Sequence, residues 1–209
     1  SLSLQITEAD LPLLTGIAES PVIGEFAISG AGTLPVQNLQ RGEWEGDIFI
    51  SRLQYDTYRV DLVESDIAYR KEAVTSSWTV QNAGEELRIQ LAAQNLFDEL
   101  IAWNGEIAGN NLNLANWLGE EQPETQTDLL ITINGRGLSA ETLEAELHGV
   151  LAGGHIAEQP FEHVEISLLA GTARAEAQLS AMLADGEADF NLYSDNWRAD
   201  IPFYHFDLA

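Results

Sequence analysis

Any chemistry in this chain has to come from carboxylates and histidines. It carries 34 Asp and Glu, nine Lys and Arg, four His and no Cys. Two carboxylates flanking a sugar make a glycosidase, but acid this dense supplies pairs everywhere and singles out none. The histidines are His148, His155, His163 and His205. No two stand at i, i+4, and no His-Glu-x-x-His occurs. His163 and Glu165 share a strand face and form the best metal pair the sequence offers. Asp185-Gly186-Glu187-Ala188-Asp189 has the composition of a calcium loop without its Asp-x-Asp-x-Asp-Gly spacing or terminal Glu, and reads as a hairpin turn. Gly30-x-Gly32 and Gly135-x-Gly137 lack the helix and Lys that a phosphate loop needs. No Gly-x-Ser-x-Gly elbow is present. Without Cys there is no thiolate nucleophile, zinc thiolate or disulfide. The residues therefore point to no catalytic site, no cofactor and no metal; glycan hydrolysis is the least implausible enzyme.

The charge balance narrows the partners. At a net −25, with Lys71 the only lysine, the chain lacks the clustered cations that nucleic acid or anionic head groups require. A hydrophobic fraction of 45% separates it from acidic disordered tails. The acid keeps a folded surface solvated and suits salty media, where repulsion is screened. No run of 18 apolar residues occurs, and no basic-then-apolar leader opens the chain. The opening Ser-Leu-Ser-Leu, without Met, reads as part of a longer protein whose anchor or signal lies elsewhere.

What must position any site is a set of strands. Apolar residues recur every second position: Phe26, Ile28, Gly30; Trp44, Gly46, Ile48, Ile50; Tyr58, Val60, Leu62; Val74, Trp78, Val80; Leu87, Ile89, Leu91. The second half repeats the pattern at Leu129, Ile131, Ile133; Leu143, Ala145, Leu147; Val164, Ile166, Leu168; Ala173, Ala175, Ala177, Leu179; Ala188, Phe190, Leu192; Trp197, Ala199, Ile201, Phe203. Alternate residues of a strand point to opposite faces. Each segment thus has one apolar and one wet face, the signature of antiparallel sheets. Helix is confined to Glu8–Ala18 and single turns at Leu96–Trp103, Leu114–Leu118 and Ser139–Leu143, too little to cover about fourteen strands. Two solutions remain: a closed barrel or sandwich that buries the apolar faces on each other, or a folded-over sheet whose apolar face stays open as a binding surface. Trp44, Trp78 and Trp197 fall on apolar faces, where they pack a core or line a groove. Ala173, Ala175 and Ala177 either leave room for a ligand or admit a large neighbour.

One segment recurs at an offset of about 105 residues. Ala27–Asp47 and Thr132–Val150 each run Ile, a small polar residue, Gly-x-Gly, then Leu, an apolar residue and Gly (Gly30, Gly32, Leu39, Trp44, Gly46; Gly135, Gly137, Leu143, Leu147, Gly149). The whole chain, 1–209, is thus one β-repeat region with related halves, roughly 1–105 and 106–209. The stretch 127–179 has an apolar strand ending in Asn134-Gly135-Arg136-Gly137, a Ser139-to-Leu143 connector, a strand ending near a Gly, the link Ile156-Ala157-Glu158-Gln159-Pro160-Phe161 and a Gly-bounded strand pair. These features resemble the AsmA-like/TamB family of bacterial envelope proteins. Leu2–Leu14, with its Asp10-Leu11-Pro12-Leu13-Leu14 turn, and Gly24–Gly32 are similar to that family's repeats.

The resemblance implies an elongated antiparallel sheet folded over into a taco-like groove with an apolar inner face. It implies a periplasmic protein, anchored in the inner membrane through other parts of the parent chain and engaging an Omp85-type outer-membrane barrel. It implies phospholipid transport between the membranes in support of outer-membrane assembly. On that reading the groove is lined by Phe26, Ile28, Ile48, Ile50, Val60, Leu62, Trp78, Val80, Ile89, Leu91, Ile131, Ile133, Leu147, Ile166, Leu168, Leu179, Phe190, Leu192, Ile201 and Phe203. The alternative from the strand pattern alone is a structural or protein-interaction β-module, sandwich or solenoid, that holds partners by its sheet edges.

Overall fold

The computed structural model of the chain describes residues 2–7, 22–33, 38–55, 58–98, 100–118, 123–139, 141–156, 159–171, 174–183, 186–195 and 205–208. They form one antiparallel sheet of thirteen strands in which spatial order equals chain order. The strands are β1 (Leu2–Thr7), β2 (Val22–Thr33), β3 (Glu43–Tyr55), β4 (Tyr58–Arg70), β5 (Ala73–Asn82), β6 (Glu85–Gln94), β7 (Ala102–Leu112), β8 (Thr125–Arg136), β9 (Glu144–Ile156), β10 (Gln159–Ala170), β11 (Arg174–Leu183), β12 (Gly186–Asp195) and β13 (His205–Leu208). Between them lie a 3-10 turn at Leu39–Arg41 and one short helix, α1 (Leu114–Leu118). Glu8–Ala18, Ala173, Trp197, Ala199, Ile201 and Phe203 lie outside the described residues.

This meander follows from the sequence locally. Consecutive strands separated by two-residue links at Lys71-Glu72 and Ala83-Gly84 can only pair as hairpins, and both links adopt the positive φ that tight hairpins require. The Ile156–Phe161 link is another hairpin, with Gln159 opposite Ile156. Ser139–Leu143 closes as a turn, Leu143 donating its N–H to the Ser139 carbonyl at 2.8 Å. The midpoint near residue 105 falls inside β7, where Gly105 pairs with Leu91 on one side and Ile133 on the other.

The arrangement is open. Among the described residues, substantial strand contacts join consecutive strands, β1 and β13 each have one neighbour, and no second layer covers either face. At about 4.8 Å per strand, twelve spacings make a ribbon about 58 Å long. Solvent exposure gives the consequence its size. A compact monomer of 22.9 kDa exposes about 9,600 Å², whereas this chain exposes 13830 Å². The excess is about 4,000 Å², the direction expected for a sheet that is not closed into a sandwich. Val63, Leu112 and Phe161 are the buried apolar side chains among the described residues.

The tightest packing lies at one rim, where α1 folds back over the β5–β6 hairpin. Leu112 is fully buried there. Glu85 accepts hydrogen bonds from the Asn113 backbone (3.1 Å), Asn116 Nδ2 (2.9 Å) and Trp117 Nε1 (2.7 Å). Asn82 Nδ2 donates to the Asn116 carbonyl at 2.7 Å, and Thr125 Oγ1 accepts from the Leu114 N–H at 2.6 Å. The rim is therefore pinned by polar groups that satisfy one another.

Two tryptophans lie flat on glycines. A Cβ added at Gly30 or Gly46 would come within 2.7 and 2.3 Å of the Trp44 ring, and one at Gly135 within 2.3 Å of the Trp103 ring. Trp103 Nε1 also donates to the Gly137 carbonyl at 3.1 Å. The recurrent Gly-x-Gly is thus a seat for an indole, which covers backbone that glycine leaves bare. The two copies are not equivalent: Trp44 comes from the strand after its motif, Trp103 from the strand before. Trp44→Ala is expected to destabilise the protein by about 2 kcal/mol, read as a shift of the urea midpoint with lost amide protection in β2 and β3. Unchanged protection there would contradict the seat.

Candidate functional site

The pairing register sorts the sheet into lateral rows, because residues opposite one another on paired strands share a face. A central row runs Ile28, Ile48, Ser65, Trp78, Ile89, Ile107, Ile131, Gly149, Ile166, Leu179, Phe190 from β2 to β12. Leu4 and Leu208 occupy the same row in β1 and β13. Two residues to one side runs a second apolar row that includes Phe26, Ile50, Val63, Val80, Leu87, Leu129, Leu151 and Val164. Two residues to the other side runs a third, with Ile67, Leu91, Ile133, Leu147, Leu168, Ala177 and Leu192 interrupted by Gly46, Ser76 and Gly105. One face of the sheet is therefore predominantly apolar from β2 to β12.

Every described candidate groove residue but two lies on that face. The exceptions are Val60 and Leu62. Leu62 pairs with Ser51 and Gln81, and β4 presents Val63, Ser65, Ile67 and Tyr69 to the apolar side. The adjacent apolar residues Leu62 and Val63 cannot share a face, and the register gives the apolar face to Val63. Val60 and Leu62 are thus on the polar face and are not groove residues. Ile201 and Phe203 fall outside the described residues.

The opposite face is polar and charged. A row running Ser29, Asp47, Asp66, Ser77, Gln90, Glu106, Thr132, His148, Ser167, Gln178 and Asn191 contains no apolar residue. The ion pairs Arg70–Glu45, Arg88–Glu86, Arg136–Glu144 and Arg174–Glu176 stand on this face, exposed, where such pairs stabilise by about 0–1 kcal/mol each. Asp47 and Asp66 stand directly opposite each other, an arrangement that costs stability. Asp66→Asn is expected to stabilise by about 0.5 kcal/mol at low ionic strength and by less in 0.5 M salt, measured as thermal midpoints of both proteins. An equal gain at both salt concentrations would show that charge is not the cause.

Twist puts a hollow on each face. Over β3 to β8 a depression of about 950 Å³ opens on the polar side, around Asp47, Asp66, Gln90 and Glu106. Over β7 to β12 a depression of about 450 Å³ opens on the apolar side, around Trp103, Ile133, Leu168, Ala175 and Ala177. The apolar face is partly open to solvent: Ile28 is 39% exposed, Leu91 41% and Leu168 41%. Among the described residues no three His, Asp or Glu gather as metal ligands. His163 lies on β10 at the register shift, facing Met182. Glu165 instead approaches His148, at 3.6 Å, and His148 Nδ1 lies 3.4 Å from Ser167 Oγ. Gly186–Asp189 belongs to β12 and pairs with β11.

No family model, curated protein or solved structure matches this chain.

Proposed function

We propose that the apolar face is a binding surface for the acyl chains of phospholipid. On this reading the protein is a non-enzymatic lipid-conduit segment, periplasmic, and part of a longer TamB/AsmA-like chain anchored in the inner membrane. Its task is to carry lipid toward the outer membrane, where other parts of the parent chain meet an Omp85-type barrel. The observation that supports it is the set of largely apolar rows on one face, over which no second layer lies among the described residues. Exposed apolar surface of this extent marks a site where something else binds. An acyl chain needs only continuous apolar side chains: at about 0.8 kcal/mol per CH₂, sixteen carbons gain on the order of 10 kcal/mol before ordering costs. The acidic polar face keeps such a sheet dispersed.

Native mass spectrometry of the protein incubated with phosphatidylethanolamine vesicles tests the reading. Bound phospholipid at defined stoichiometry is expected. A bare protein mass, with no lipid retained, would refute it.

A second reading is supported by the sheet edges. Among the described residues β1 and β13 each pair on one side only, the geometry that recruits a partner strand. A structural β-module of the envelope would bind protein there and retain no lipid in the same experiment.

A further inference from the structure

The apolar face is not alike in its two halves. A fourth row lies on it, two residues beyond the third. From β3 to β7 that row runs Trp44, Tyr69, Val74, Ala93 and Trp103. From β8 to β12 it runs Gly135, Ala145, Ala170, Ala175 and Ser194. Bulk stands on the first half and is missing from the second. The hollows follow the same division: the polar face sinks over β3 to β8, the apolar face over β7 to β12. Among the described residues the sheet is one strand thick, so the apolar face stands proud where the polar face sinks. Its profile is raised on one side of the β7–β8 pair and hollow on the other.

Such a profile is complementary to itself under one rotation. A two-fold axis parallel to the strands, between β7 and β8, lays the raised half of one copy into the hollow half of the other. An axis across the strands sets raised against raised. We infer that the partner of the apolar face is a second copy of this chain, closed on it face to face as a two-sheet sandwich with the sheets about 10 Å apart. The inference goes beyond the acyl-chain reading and does not rest on it; phospholipid and the second copy compete for one face. Charge directs which faces meet. From β2 to β12 the central, third and fourth rows carry no charged residue, so the sandwich buries no charge along them. The polar faces, with Asp47 opposite Asp66 in a chain of net charge −25, repel their copies. The area is sufficient. Four rows across β3 to β12 make a patch of about 43 by 20 Å. Counted on both copies, about 1,700 Å² is buried, the size of a stable interface.

Sedimentation equilibrium of the full chain, stripped of lipid, tests the inference. A species of twice 22.9 kDa is expected at micromolar concentration. Leu168→Glu puts a carboxylate into the interface from each copy and is expected to weaken the dimer at least about a hundredfold. Ser167→Glu, its neighbour on the polar face, is expected to leave the dimer within about threefold. Ala175→Trp, which fills the hollow, is expected to weaken it at least about tenfold. Far-UV circular dichroism verifies the fold of each variant. A spin label at Asp47→Cys, exposed on the polar face of β3, leaves the interface intact and reads the axis even if the other variants misfold. Nine strand spacings separate the two labels, so a distance of about 45 Å is expected. A distance under about 30 Å overturns the arrangement. Equal weakening by Leu168→Glu and Ser167→Glu overturns the apolar face as the contact. A monomer at every concentration overturns the inference and leaves the acyl-chain reading standing, because phospholipid retention is measured separately.

Discussion

Ile131→Asp is expected to cut acyl-chain binding at least about thirtyfold, whereas Glu106→Gln leaves it unchanged. Ile131 lies in the central apolar row between Ile107 and Gly149. A chain that follows the central row passes over it. A carboxylate there has to be desolvated against a hydrocarbon, which costs several kcal/mol unless the chain detours. The open face allows a detour, so we set the expected loss near 2 kcal/mol, or about thirtyfold. Glu106 sits opposite Thr132 on the polar side, one residue from Ile107, so the control differs in face rather than in position. Vesicle-to-protein transfer of a fluorescent phospholipid reads both. Equal losses in the two variants would mean that the faces are not distinguished.

The largest stability effect is expected at Gly154. It holds φ +133°, and a Cβ there would stand 1.7 Å from the Gln126 carbonyl oxygen on the neighbouring strand. Backbone cannot yield as a side chain tip can. Gly154→Ala should therefore cost about 3 kcal/mol, from the disfavoured dihedral and the forced separation of β8 from β9 together. In a sheet where each strand touches only its neighbours, stability is a chain of nearest-neighbour terms. The damage should be local: hydrogen exchange should accelerate in β8 and β9 and leave β3 to β5 protected. Uniform loss of protection would show that the sheet unfolds as one unit.

The strands were legible because each has one wet face, so the period of two is written in full. Most edges of the alternation coincide with real strands for that reason. β7 was not: Leu96–Trp103 read as a helical turn, whereas Trp103 begins the body of a strand. Its apolar face is Trp103, Gly105, Ile107 and Gly109, and glycine reads as a turn. Gly105 is glycine because a Cβ would meet Leu91 at 2.7 Å and Ile133 at 3.0 Å, a cross-strand fact that no local pattern carries. Val60 and Leu62 lie on the polar face although Tyr58, Val60 and Leu62 alternate correctly among themselves. Only pairing decides that Val63 takes the apolar side. Closure was equally undetermined, since a sandwich and an open sheet share one alternation and differ in what meets the far edges. The hollow over β7 to β12 depends on the register of six strands, and its local sign is the run of alternating alanines.

The most direct test of the apolar face as an acyl-chain surface uses the absence of cysteine in this chain. Ile131→Cys and Thr132→Cys place one thiol each on adjacent residues of β8, on opposite faces. Each is labelled with bimane and titrated with vesicles containing a brominated-acyl phospholipid. Quenching at position 131 with none at position 132 is the predicted result. Equal quenching at both, or none at either, would contradict the assignment of this face to lipid.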